Sequence, residues 1–326
     1  MKKSFVYILI VIAFILGAAV GCWWATKTDS PTNSALSKDV RDQLTRSQFT
    51  NPLLECSELP ETISIGDRLQ LQKDVESFIT TQKKNGVLSD AAVYFRDLNN
   101  GPWFGINEDV KFSPASLLKI PLAMWYYWEA DSDPGLLTQE IEFMGPPGES
   151  FVHFPPSKTL QVGETYSINE LIHFMLVESD NEAANILNEF SGKDKTSLVY
   201  RDLGVTSNGE TVAQTIDVRT FASFFRILYN ATYLGRSLSD YMLEMMSASS
   251  FRSGIVAGVP SSVAVSHKFG EKMIDVKTAQ LHDCGIIYHP HTPYLLCVMS
   301  QGNDYDELAT FISAVSKMVY ESVEKK

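Results

Sequence analysis

Cysteine is scarce in this sequence: four residues in 326 are too few to staple a domain of this length, and none stands in the paired spacing of a zinc site. Cys284 and Cys297 lie in apolar, strand-like runs and are expected as core residues, while Cys56 has no partner that the sequence identifies. Histidine is equally thin, and His282, His289 and His291 lack the i, i+4 helical spacing of a zinc protease, so no metal or other cofactor is implied. Positive charge is also in deficit. With 27 basic against 39 acidic residues the net charge is -12, and such a surface repels phosphate backbones, so nucleic acid is excluded as a partner. Internal repeats and low-complexity tracts are missing too. What remains, 44% hydrophobic and 20% charged residues, is the ordinary composition of a chain that buries a real core.

Long apolar runs are absent except at the start. Lys2 and Lys3 precede an uncharged stretch from Phe5 to Ala25 that ends in Trp23 and Trp24. About 20 apolar residues span a bilayer, flanking lysines favour a cytoplasmic start, and tryptophans suit the far interface, so residues 1–25 are read as a membrane anchor. A cleaved signal ending near Gly17-Ala18-Ala19 and a lipoprotein site at Cys22 are the competing readings. All three place the rest of the chain outside the cytoplasm. Residues 26–48, rich in Ser, Thr, Asp and Lys, form a linker, and residues 49–326 are the folded domain.

Within that domain Leu71, Val75, Phe78 and Ile79 share one face of a helix predicted over Arg68–Lys83. Ala91–Leu98 and Trp103–Ile106 flank Asn99-Asn100-Gly101, a hairpin signal. Helices follow at Ser116–Glu129, Ser167–Val177 behind the capping box Ser167-Ile168-Asn169-Glu170, Glu182–Phe190 and Val218–Tyr229. Strands return at Val263–Phe269, Cys284–Tyr288 and Tyr294–Ser300, before a last helix carrying Leu308, Phe311, Ile312, Val315 and Val319 on one face. The fold class is therefore α/β of the α+β kind: an antiparallel sheet flanked by the first and last helices, with a second, all-helical lobe between its halves. A small-molecule site is expected in the cleft between them.

Three short segments carry chemistry. In Ser116-Leu117-Leu118-Lys119 the two polar residues share a helix face just after Ser113-Pro114, which sets an amine beside a hydroxyl at a helix start. Ser322-Val323-Glu324-Lys325 has the same spacing on what is plainly a solvated helix end. Ser179-Asp180-Asn181 sits where one helix stops and another begins, a place where Asp or Asn often does no more than cap. Lys268-Phe269-Gly270 ends a strand, and Lys84-Asn85-Gly86 shows how cheap that spacing is.

Taken together and in this order, the three segments resemble the Ser-x-x-Lys, Ser-Asp-Asn and Lys-Thr-Gly signature of the class A β-lactamases and penicillin-binding proteins. The resemblance extends over roughly Ala91 to the C-terminus. It implies that Ser116 is the nucleophile and Lys119 its base, that Ser179 relays a proton to the leaving nitrogen, and that Asn181 holds the substrate's amide side chain. It further implies that Lys268 attracts the substrate carboxylate while supporting Ser179. Gly270 and Glu271 belong to the substrate-binding strand, with an oxyanion hole made by the backbone N–H groups of Ser116 and Glu271, to which their side chains are irrelevant.

Two departures from the pattern matter. The long loop that carries a deacylating glutamate looks deleted, leaving Glu210 as the acid available in Leu203–Thr211 before the Thr215-Ile216-Asp217 helix start, and Phe269 stands where threonine is expected. His267, beside Lys268, is read as structural. Trp125, Tyr126, Tyr127 and Trp128, being consecutive, divide between core and cleft. The implied activity is acylation at Ser116 by β-lactams followed by hydrolysis of the β-lactam amide, slowly if the base is missing. A D,D-peptidase-like hydrolase of cell-wall peptides and a membrane-bound penicillin-binding sensor without turnover are the alternatives.

Overall fold

The strand that runs Leu88–Asp97 (β1) is apolar on both faces, and such a strand needs a cover on each. Ala92 and Tyr94 point into one hydrophobic cluster, Val93 and Phe95 into another. The computed structural model describes residues 48–51, 65–99, 101–145, 152–192, 195–205 and 215–325. The anchor over residues 1–25, most of the linker and Glu210 lie outside the described residues. Among the described residues no helix is long and apolar enough to cross a membrane.

The five-stranded sheet has the order β2-β1-β9-β8-β7, with β2 at Trp103–Ile106, β7 at Val265–Asp275, β8 at Thr278–Ile287 and β9 at Tyr294–Gly302. Every pairing is antiparallel. Helix α1 (Ile65–Lys84) and the last helix α8 (Tyr305–Glu324) cover one face through Leu71, Val75 and Ile79 on the first and Leu308, Ile312, Val315 and Val319 on the second. The opposite face carries the helical lobe: α2 (Lys119–Ser132), α3 (Ile168–Val177), α4 (Asn181–Ser191), α5 (Lys195–Asp202), α6 (Val218–Tyr229) and α7 (Arg236–Ser247). Short two-stranded ladders, β3 (Lys111–Phe112) with β6 (Ile216–Asp217) and β4 (Glu140–Glu142) with β5 (Thr165–Ser167), stitch the segments between. The fold is thus the expected antiparallel sheet between two helical layers.

Some elements differ from the reading of the sequence. The hairpin β7–β8 extends past Phe269 to Asp275 and returns from Thr278, because ladder hydrogen bonds prolong it after burial has ended at Gly270. Residues 272–275 are exposed, so no apolar alternation marked them. Cys284 and Cys297 are buried in the core as expected. They also stand directly opposite each other on β8 and β9, joined as a disulfide, a pairing that the sequence reading did not make. In α2, Trp125, Tyr126 and Tyr127 are buried and Trp128 is exposed.

Candidate active site

The segment that presents Ser116 is pinned from β8. The Ser113 N–H donates to Gln280 Oε1 at 3.0 Å, and His282 Nε2 lies 2.9 Å from the Ser113 carbonyl oxygen. Burial pushes the His282 imidazole down to about 4, so it is neutral at pH 7. Its Nδ1 accepts the Ser300 N–H, leaving Nε2 as the protonated nitrogen that donates to Ser113. Gln280 was not singled out in the sequence and His282 was weighed there only as a metal ligand, since nothing in their spacing connects them with Ser116. Beyond Pro114 the chain takes a positive φ of 49° at Ala115 and enters a single 3-10 turn, Ala115–Leu118; the α-helix starts at Lys119 rather than at Ser116. In a 3-10 turn residues three apart eclipse, which keeps Ser116 and Lys119 on one side.

Lys119 is only 6% exposed, and burial pulls its ammonium down to about 7 against the opposing charges of Asp180 and Glu271. Its Nζ donates to the Ser179 carbonyl at 2.5 Å and to Asn181 Oδ1 at 2.7 Å, with Ser179 Oγ at 3.4 Å. Among the described residues no hydrogen bond joins it to Ser116 Oγ. Ser179 reaches this position through a left-handed backbone, φ 56°, at the junction of α3 and α4, a conformation that typically costs about 1–3 kcal/mol in a non-glycine residue. Asp180 caps α4 by accepting the Ala183 N–H at 2.8 Å, so the capping role holds for the middle residue of the triplet while its neighbours face Lys119.

Lys268, on β7, is 0% exposed. Its Nζ donates to Ser179 Oγ at 2.7 Å and to the Phe269 carbonyl at 2.9 Å. Burial, reinforced by the charge of Lys119, holds this amine well below the usual lysine range. β7 is an edge strand of the sheet, and its Gly270 lies against the Ala115–Leu118 turn: a Cβ there would stand 3.1 Å from the Ser116 backbone N and 3.2 Å from that of Leu117. Glycine is what lets the edge strand come this close.

Besides the backbone N–H expected to serve the oxyanion hole, Glu271 has a side chain with contacts of its own. Its carboxylate accepts the N–H groups of His153 and Phe154, at 3.0 and 3.3 Å. Burial raises its pKa, against those hydrogen bonds and the charges of His153 and Lys268. From the far side, Glu178 accepts from the Ser157 N–H at 2.8 Å and the Ser157 hydroxyl at 2.9 Å. The two carboxylates thus tie residues 153–157 as a strap beside Ser116. Phe154 in the strap packs edge-on against Phe251 and Phe269, and the latter two stack at 4.1 Å. Together with Ser116, Ser179 and Asn181, the strap and the two glutamates line a cavity of about 50 Å³. None of the four consecutive aromatics of α2 lines this cavity.

His267 is buried, with Nδ1 2.8 Å from Asp283 Oδ1, and Asp283 also accepts the Ile255 N–H; it is a core partner on β7. No group of three or more His, Cys, Asp or Glu among the described residues could hold a metal ion.

A family model described as the beta-lactamase enzyme family matches residues 70–323, a span that contains all of these groups. The chain belongs to the beta-lactamase enzyme family. Solved beta-lactamase-like structures share its fold at low identity. PBP-A is 19% identical with a TM-score of 0.64, over 82% of this chain and 99% of that one, and a PBP-A mutant has been solved as an acyl-enzyme complex with penicillin G. A class A beta-lactamase from Mycobacterium abscessus is 21% identical with a TM-score of 0.65, over 77% of this chain and 99% of that one. A class A representative from Bacteroides cellulosilyticus is 18% identical with a TM-score of 0.66, over 80% and 99%. No curated protein matches the chain.

Proposed function

We propose that this member of the beta-lactamase family is a serine acyl hydrolase that is acylated at Ser116 by β-lactams, and that residues 1–25 hold it at a membrane with the catalytic domain outside the cytoplasm. The observation that carries the reading is Lys119: a buried amine whose pKa lies near 7, beside the turn that bears Ser116. A neutral amine that donates its two N–H bonds to the Ser179 carbonyl and Asn181 Oδ1 keeps one lone pair, which is what a general base needs. Lys119 takes the Ser116 proton as Oγ attacks the carbonyl carbon. The C–N bond then breaks, the nitrogen receiving a proton from Ser179 Oγ, which Lys268 Nζ holds at 2.7 Å. Developing charge on the carbonyl oxygen is met by the backbone N–H groups of Ser116 and Glu271, donors typically worth about 3 kcal/mol each.

Hydrolysis of the ester at Ser116 requires an activated water. Leu203–Thr211 offers Glu210 alone for this, and both glutamates at the cavity wall are occupied by the strap, so deacylation is the slow half of the cycle. The penicillin adduct of PBP-A supports the choice of β-lactam as the acyl donor. The test is intact-mass analysis after exposure to benzylpenicillin. One adduct per chain should form, persist for many minutes and map to Ser116, and Ser116→Ala should lose it. An adduct that survives in Ser116→Ala would refute the assignment.

A further inference from the structure

The charge at the cavity wall is opposite to what a carboxylate-bearing acyl donor requires. Two carboxylates, Glu178 and Glu271, line the cavity beside Ser116, and among the described residues no cationic side chain does. The two lysines nearby are withdrawn. Lys268 has no exposed surface and spends its ammonium on Ser179 Oγ and the Phe269 carbonyl, 4.5 Å from the Phe269 ring centroid. Lys119 is engaged by Ser179 and Asn181. His153, the remaining basic residue close to Glu271, turns its ring outward to Asp306, with Nε2 3.2 Å from Oδ1. On β7, Phe269 stands where a hydroxyl would help hold an anion, its ring committed to the stack with Phe251. The rest of the wall, Val152, Phe154 and Pro156, is apolar.

We propose that Glu271, seconded by Glu178, makes this site favour acyl donors that are neutral or cationic next to the scissile amide, and slows acylation by those that carry a free carboxylate there. Like charges brought together at a water-poor wall are strongly disfavoured, and neither lysine is positioned to compensate. Burial and the charge of Lys119 lower the basicity of Lys268, which weakens its pull on a carboxylate in the same direction. The substrate class that fits is an internal amide of a peptide, or one flanked by an amine, rather than a chain end that presents its terminal carboxylate. In a β-lactam the carboxylate sits on the carbon attached to the leaving nitrogen, so the preference is readable with one pair of compounds. The inference rests on Ser116 being the acylated nucleophile.

The experiment uses the full chain in nonionic detergent. Acylation rates by benzylpenicillin and by its methyl ester are followed by intact mass, each normalised to that compound's rate with hydroxide, for the wild type, Glu271→Gln and Glu178→Gln. A neutral fluorophosphonate serves as an independent probe of Ser116. The expected result is that the ester outpaces the acid by about tenfold or more in the wild type. Glu271→Gln, which keeps an acceptor for the strap, should narrow the ratio at least about threefold by speeding the acid; if that variant does not fold, Glu178→Gln should show the same narrowing. If the phosphonate labels Ser116 while the acid reacts as fast as the ester, the charge argument is overturned and the nucleophile stands. If the ratio is large but unmoved in every folded variant, the glutamates are not its cause. If the phosphonate fails to label the wild type, the nucleophile reading falls and this inference with it.

Discussion

The pKa of Lys119 makes a quantitative demand on the pH dependence of acylation. If Lys119 is the base, the rate at which a neutral phosphonate labels Ser116 follows the fraction of neutral amine. With a pKa of about 7 that fraction is about one in eleven at pH 6 and about ten in eleven at pH 8, a rise of roughly tenfold that then levels off. An ordinary lysine, at 10.5, would instead drive a rise of about a hundredfold over the same interval with no plateau before pH 10. The same burial that makes the amine useful is costly to the fold. The folded-state pKa lies below the unfolded one, so the stability available above pH 10.5 is lost as pH falls towards 7, by roughly 5 kcal/mol in total. Lys119→Met escapes that cost but removes the hydrogen bonds to the Ser179 carbonyl and Asn181 Oδ1, at about 1 kcal/mol each, for a net gain of about 3 kcal/mol at pH 6 that shrinks by pH 10. Labelling at Ser116 measured from pH 5 to 10, with denaturant melts of the variant at both extremes, checks both halves. A labelling rate that is flat in pH, or that climbs without a plateau through pH 9, refutes the assignment of Lys119 as a base of lowered pKa.

Further expectations concern the scaffold around the nucleophile. Gly270→Ala inserts a methyl 3.1 Å from the Ser116 backbone N, so labelling should slow by about 10- to 100-fold while the thermal midpoint moves little; an unchanged rate would show that the contact relaxes freely. His282 is neutral in the fold with a pKa of about 4 and takes up a proton near 6.5 when unfolded, so stability should fall as pH drops from 6.5 to 4, by up to about 3 kcal/mol. His282→Gln should remove that component, and equal acid sensitivity in the two proteins would exclude it.

The sheet and its two covers were legible because they rest on periodicity. Leu308, Phe311, Ile312, Val315 and Val319 fall on one helical face, and the alternation of Val93 and Phe95 with Ala92 and Tyr94 needs two apolar layers. The capping box at Ser167 is likewise a local code, and both of its hydrogen bonds are present. Ser116, Lys119, Ser179 and Lys268 were found by their order along the chain, and the fold gathers the four around one cavity or its floor. What could not be read was each partner supplied by tertiary packing. Lys119 was expected on Ser116 but turns to Ser179 and Asn181, a choice fixed by a left-handed residue some 60 positions away. The contacts of the Glu271 side chain could not be foreseen, because strand alternation says nothing about a loop, 153–157, that folds back over the edge strand. Gln280 and His282 look like any polar residues in an apolar strand until the Ser113 carbonyl and N–H arrive beside them.

The pairing of Cys284 with Cys297 has a practical consequence for topology. Of the four cysteines in the chain, it leaves only Cys22 and Cys56 as candidates for thiol-directed reagents, and both precede Ile65–Lys84, the first helix among the described residues. A maleimide applied to intact cells is therefore a selective reporter on the N-terminal region, silent on the site, and needs no cysteine-free background. A membrane-impermeant maleimide that reaches Cys56, or a Cys22 rendered unreactive by a thioether to lipid, would each leave a distinct mass on the same peptide map. The disulfide in the core thereby turns a question about membrane insertion into one that two native side chains can answer.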